Sequence, residues 1–309
     1  MKPALSIILF TTIAGAAQGM AVVLAAATLA GVAPAALGGM LWVATAMLAL
    51  ALAASFFHLG HPLRAWRAAM MWRTSWMSRE VIVLPAFIGL TAAWALQSTA
   101  QGGAGALSPV WPWLAIGGAA LLWLCTAMIY ACIRFIQEWA HPLTLVNYVM
   151  LGLSSGMVAC GALAVLAGER AFAAGLAPWA LAVTALAWCT RGLALRRNAR
   201  LRPKSTTQSA TGIRAGRVVQ KSMGMTGGSF NTREFFHGAS VQALRHVKLG
   251  FQLLAFLLPI LLLLCAQFLD LGWVWLVALP LHFAGLLAER WFFFAQARHP
   301  QNIYYQTVS

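Results

Sequence analysis

The chain is predicted to be an all-α membrane protein, a bundle of eight transmembrane helices with both termini cytoplasmic. Three observations carry that prediction. Of 309 residues, 61% are hydrophobic and 9% charged, with a mean hydropathy of +0.78; soluble domains do not have this composition. The apolar residues gather into eight runs, each near the ~20 residues that a helix needs to cross the hydrocarbon core. With the N-terminus inside, 20 of the 21 Lys and Arg residues fall on the inner side and Arg170 alone on the outer, as the positive-inside bias requires. Lipid offers backbone groups no partners, so long apolar runs form helices rather than open sheets.

The elements follow in order. The first run, Leu5–Ala30, follows Lys2 and continues past Met20, longer than the apolar core of a cleaved signal peptide, and is taken as a span. Gly31–Gly39 turns outside, and Met40–His58 returns. The inner connection from His58 to Glu80 carries Leu63, Trp66 and Met70 at i, i+3, i+7 with Arg64 and Arg67 on the other side; the pattern predicts a short helix in the headgroup plane. Glu80–Gln97, Trp113–Cys132, Leu143–Ala167 and Trp179–Ala194 are the next spans, joined outside by Ser98–Pro112 and Gly168–Pro178. Leu249–Phe268 and Trp273–Ala295 complete the set, turning outside at Asp270–Gly272. Trp42, Trp94, Trp111, Trp113, Trp179, Trp273 and Trp275 lie near the outer turns and predict an aromatic belt there. The chain reads as one integral membrane domain, 1–309, containing a basic cytoplasmic loop at 195–248 that loses the apolar pattern.

The net charge of +15 would suggest nucleic acid in a soluble protein. Here it is largely topological, and the expected counter-charges are anionic lipid headgroups of the bilayer or an acidic protein surface. Cys125, Cys132, Cys160, Cys189 and Cys265 fall inside predicted spans with no CxxC pair, which argues against cluster or zinc ligation and for packing. His282 is the one strongly polar residue expected at mid-depth, read as a hydrogen-bonded core residue. A b-type haem would want paired axial histidines on facing helices, and none is expected.

Polar residues converge instead at the inner rim. His58 ends the second span and Glu80 opens the third, with Arg64 and Arg67 between them. A histidine and a carboxylate bordering an apolar pocket suit a lipid-soluble quinone, whose carbonyls need donors and whose redox change moves protons. The same residues also fit plain helix ends, Glu80 as a first-turn acid capped by Ser78 and His58 as a terminus reaching water.

The stretches Ser55–Trp66 (SFFHLGHPLRAW), Ser75–Glu80 (SWMSRE), Phe135–Gly156 (FIQEWAHPLTLVNYVMLGLSSG), Phe230–Phe236 (FNTREFF) and Glu289–Ser309 (ERWFFFAQARHPQNIYYQTVS) resemble the membrane-anchor family of dimethyl sulfoxide reductase across essentially the whole chain. The resemblance implies an anchor subunit of a bacterial inner-membrane complex, exchanging electrons between the quinone pool and an iron–sulfur subunit. The electrons are shared in turn with a molybdopterin catalytic subunit, and the anchor itself carries no haem. The resemblance also implies quinone-site roles for His58 and Glu80. Members include reductases that oxidise quinol and sulfite dehydrogenases that reduce quinone. The long basic loop and Tyr304-Tyr305 tail are more similar to the sulfite-oxidising type. A small-molecule transporter is the alternative from another class; it would show midplane polar residues and broken helices in matching halves.

Overall fold

The computed structural model describes residues 1–57, 59–100, 109–222 and 236–304. His58, Glu234 and residues 230–235 of the Phe230–Phe236 segment lie outside the described residues, as do residues 305–309. Among the described residues all regular structure is helical. The helices are α1 (Leu5–Leu29), α2 (Leu37–Phe56), a 3-10 helix (Pro62–Met71), α3 (Trp76–Ala100), α4 (Val110–Ala131), α5 (Pro142–Leu166), α6 (Arg170–Ala199), the short α7 (Thr207–Thr211), α8 (Val241–Leu269), α9 (Val274–Ala295) and a last 3-10 turn (Pro300–Tyr304). Eight of them, all but α7 and the 3-10 segments, are long and apolar enough to span a bilayer. The N-terminal amine donates to the Ala297 carbonyl at 2.9 Å, so the start of α1 and the end of α9 meet at one end of the bundle.

The predicted spans match these helices closely at most ends. Two start well before the apolar run does: α6 at Arg170 rather than Trp179, and α8 at Val241 rather than Leu249. The outer segment 170–178 is therefore helix, with Pro178 inside it, and the basic loop loses residues at both ends, since α6 runs on to Ala199 and α8 begins at Val241. The expected aromatic belt is divided. Trp42, Trp113, Trp179 and Trp273 are exposed at the bundle surface, while Trp94 and Trp275 are core residues.

α1 and α5 form the centre. In α1, 72% of the apolar window is buried inside the bundle and in α5 61%, against 33 to 44% for the other spans. Gly15 and Gly19 on α1 meet Gly152 and Gly156 on α5, each pair spaced i, i+4. A Cβ on Gly19 would overlap the Gly152 carbonyl, and one on Gly156 would overlap the Gly19–Met20 backbone. Small residues at this spacing let two backbones touch where no hydrophobic effect drives helices together. The pair packs against α2, α4, α6 and α9. Some hydroxyls within spans bond back to their own helix, Thr11 to Ile7 O at 2.8 Å and Thr45 to Leu41 O at 2.8 Å, which pairs those donors inside the apolar core.

α8 is broken at mid-length by a π turn at Leu253–Leu257, and the cause lies in the sequence. Pro259 has no N–H to give to the carbonyl four residues back, that of Ala255. His282 on α9 supplies the missing donor, its Nδ1 lying 2.7 Å from Ala255 O. A carbonyl only accepts, so Nδ1 carries the proton, and in a neutral imidazole Nε2 then accepts from Ser154 Oγ at 3.4 Å, which itself accepts from Thr184 at 2.8 Å. The helices approach closely here, because a Cβ on Gly285 of α9 would overlap Ala255. His282 is thus a satisfied core residue joining α5, α6, α8 and α9.

Gly156→Ala should lower stability by about 1–3 kcal/mol, measured by thermal unfolding in detergent. Gly117→Ala on α4, where an added Cβ meets nothing within 4 Å, should not. His282→Leu should cost about 1–3 kcal/mol by orphaning a buried carbonyl. In the Pro259→Ala background the restored amide can serve that carbonyl, and a double-mutant cycle should show the loss shrinking by about 1 kcal/mol.

Candidate functional site

α3 begins at Trp76, and the Ser75 hydroxyl accepts from the Ser78 amide at 3.4 Å. Glu80 therefore lies about 6 Å into the helix at 1.5 Å per residue, past the position of a capped first-turn acid, and Ser78 is itself buried rather than a cap. The Glu80 side chain is 8% exposed and accepts a hydrogen bond from the Thr126 hydroxyl on α4. Leu84, Phe87 and Leu122 form an apolar core just outward of it. Among the described residues no cation pairs with Glu80.

Arg64 and Arg67 lie elsewhere. Both are exposed on the 3-10 helix, which packs beside α3, and the Arg67 guanidinium sits 5.5 Å from the Trp66 ring centroid. Three residues per turn change the expected faces. Arg64, Arg67 and Met70 fall in one column and Leu63 and Trp66 in another, so Met70 leaves the apolar row that an α-helix would have given it. Leu63, Trp66 and Met71 stay exposed, and Arg79 fastens the end of this segment through the Trp72 and Arg73 carbonyls at 2.9 and 2.8 Å. The connection joins Glu80 and the two arginines in depth but not in contact.

Inward of Glu80 an aromatic cluster closes the end of the bundle. Tyr130 stacks on Tyr148 with centroids 6.0 Å apart, and Trp139 stacks on Phe293 at 5.6 Å while donating through Nε1 to Phe293 O at 3.1 Å. Glu80 is within electrostatic range of both tyrosines.

Sequence reasoning missed a second polar centre. Arg191 of α6 and Glu289 and Arg290 of α9, all assigned to the inner boundary by charge, are buried at 3, 1 and 5% exposure. Arg191 Nε lies 2.7 Å from Glu289 Oε1 and Arg290 Nε 3.6 Å from Oε2. The Arg290 guanidinium also sits 3.9 Å from the Tyr148 ring centroid. A signal was present: each charge has apolar residues on both sides, Trp188 and Leu195 around Arg191, Leu286 and Phe292 around the Glu-Arg pair. Among the described residues no group of three or more His, Cys, Asp or Glu could hold a metal ion.

Chemically, the Glu80 carboxyl is equipped to hold or release one proton at an apolar wall, with Thr126 orienting it.

The comparisons with known proteins agree with one another. The family described as DMSO reductase anchor subunit (DmsC) matches residues 1–295. The C subunit of the sulfite dehydrogenase of Allochromatium vinosum is 44% identical over the whole of both chains. Eight apolar helices make this a multi-pass membrane protein, and the chain belongs to the DMSO reductase anchor subunit family.

Proposed function

We propose that this membrane anchor of an oxidoreductase complex carries electrons between an iron–sulfur subunit and the membrane quinone pool, and that it works in a sulfite-oxidising complex. The observation that carries the reading is the buried Glu80 carboxyl, held by Thr126 beside an exposed apolar and cationic 3-10 helix. The name of the 44% identical relative supports the sulfite assignment. In balanced form, sulfite and water yield sulfate, two protons and two electrons in a molybdopterin subunit. The electrons pass through iron–sulfur clusters, and quinone takes two electrons and two protons to become quinol. Glu80 exchanges protons at the quinone, while His58 donates to a quinone oxygen and Arg64 and Arg67 border the entrance. The anchor itself holds no haem, and both termini and the partner subunits lie on the cytoplasmic side of a bacterial inner membrane. A transporter shares only the broken α8. Its matching break in the first half is missing, because α3 continues through Pro85, and the α8 carbonyl freed by Pro259 is taken by His282.

Glu80→Gln keeps the shape and removes the proton exchange, so quinone-linked turnover of the intact complex should fall by about 100-fold. Turnover with a soluble artificial electron carrier should be unchanged. Equal loss in both assays, or none in either, would remove Glu80 from the quinone site.

The loop between α6 and α8 is the docking surface for the iron–sulfur subunit in this reading. It holds a dense set of cations, and its short α7 rests against the last 3-10 turn. Replacing residues 205–220 by a Gly/Ser linker of equal length should abolish co-purification of the partner subunits while leaving the anchor folded; undiminished recovery would exclude the role.

A further inference from the structure

The Pro62–Met71 helix sorts its side chains onto three faces, because three residues per turn stack i on i+3. One face carries Ala65 and Ala68, both half-buried, and the helix packs on α3. The second carries Leu63 and Trp66, 95% and 63% exposed. The third carries Arg64 and Arg67, also exposed, and ends in Met70. Met71, Trp72 and Met77 continue the apolar surface toward α3, each more than half exposed. Apolar side chains gathered in one exposed patch mark a surface that something covers. Among the described residues neither Arg64 nor Arg67 pairs with a carboxylate, and residues 59–79 contain no acid.

Position and charge identify the cover. The segment joins the ends of two spans, α2 at Phe56 and α3 at Trp76, so it lies at a boundary of the hydrocarbon layer. Acyl chains and headgroups meet there, and they call for an apolar face and a cationic face side by side. A guanidinium fork matches the oxygens of a headgroup phosphate. A protein partner would instead favour an apolar centre ringed by polar residues. Here the apolar and cationic side chains run as two parallel columns, which suits a bilayer surface better. We infer that this 3-10 helix binds anionic phospholipid, with Leu63 and Trp66 in the acyl boundary and Arg64 and Arg67 on headgroup phosphates. The inference does not rest on the quinone reading, which uses the same arginines only as the border of an entrance.

The test irradiates the full chain carrying the photoreactive substitution Leu63→p-benzoylphenylalanine. It is done in the membranes that make the protein and in nanodiscs mixing dioleoyl phosphatidylcholine with dioleoyl phosphatidylglycerol. Position 63 is the most exposed apolar site of the segment, so the label should leave the fold intact, which thermal unfolding checks. Adducts are read by mass spectrometry. Lipid adducts should form, with phosphatidylglycerol exceeding its share of the mixture by about fivefold or more, the factor for one arginine at the surface. Arg64→Gln combined with Arg67→Gln, both at exposed positions, should return phosphatidylglycerol to its share while lipid adducts persist. Arg214→Gln combined with Arg217→Gln, in the basic loop, should leave the enrichment unchanged. Four outcomes would each overturn the inference: no lipid adduct, adducts in proportion to the mixture, enrichment that survives the Arg64 and Arg67 substitutions, or an adduct to another protein in the native membranes.

Discussion

The close approach of α1 and α5 is the constraint on which the rest of the bundle depends. Two glycine pairs bring the backbones together, and at Gly19, Gly152 and Gly156 no side chain larger than hydrogen fits. In lipid this contact has no hydrophobic driving force behind it and relies on packing alone. It sets the spacing of the helices around it, since α2, α4, α6 and α9 all rest on one or both members of the pair. Both polar centres inherit their positions from it. Glu80 reaches Thr126 on α4, and α9 presents Arg290 to Tyr148 on α5.

The fold was legible because hydropathy and charge placement are local properties. Helix ends were less so. Residues 170–178 and 241–248 carry polar groups but continue as helix, since a hydropathy run reports where lipid is, not where backbone hydrogen bonding stops. The π turn in α8 was half visible: Pro259 announces a freed carbonyl, but that His282 answers it depends on packing between two helices.

The two polar centres show the same division. Glu80 could be singled out as a carboxylate opening an apolar run, yet its partner is a threonine 46 positions away, which no spacing rule reaches. Counting cations by side assigned Arg191 and Arg290 to a boundary and hid their burial. The 3-10 winding of Pro62–Met71 reassigned the faces of an amphipathic segment whose composition had been read correctly, because the period, not the residue types, decides which side chains share a column.

The break in α8 also has a mechanical side. A continuous helix transmits a push along its axis, but Val241–Gln252 and Leu258–Leu269 meet at a turn whose hydrogen-bond ladder is interrupted. The outer rod is fixed by its packing on α6 and α9, and the joint is stapled by one imidazole. The inner rod, amphipathic and at the end of the basic loop, is held as well, by packing on α9 and by the Trp188 indole of α6 donating to Gln252 at 3.1 Å. Load applied at Ser240 therefore meets two anchored rods joined at Leu253–Leu257, and the interrupted ladder is the one place along α8 where the backbone itself offers less resistance.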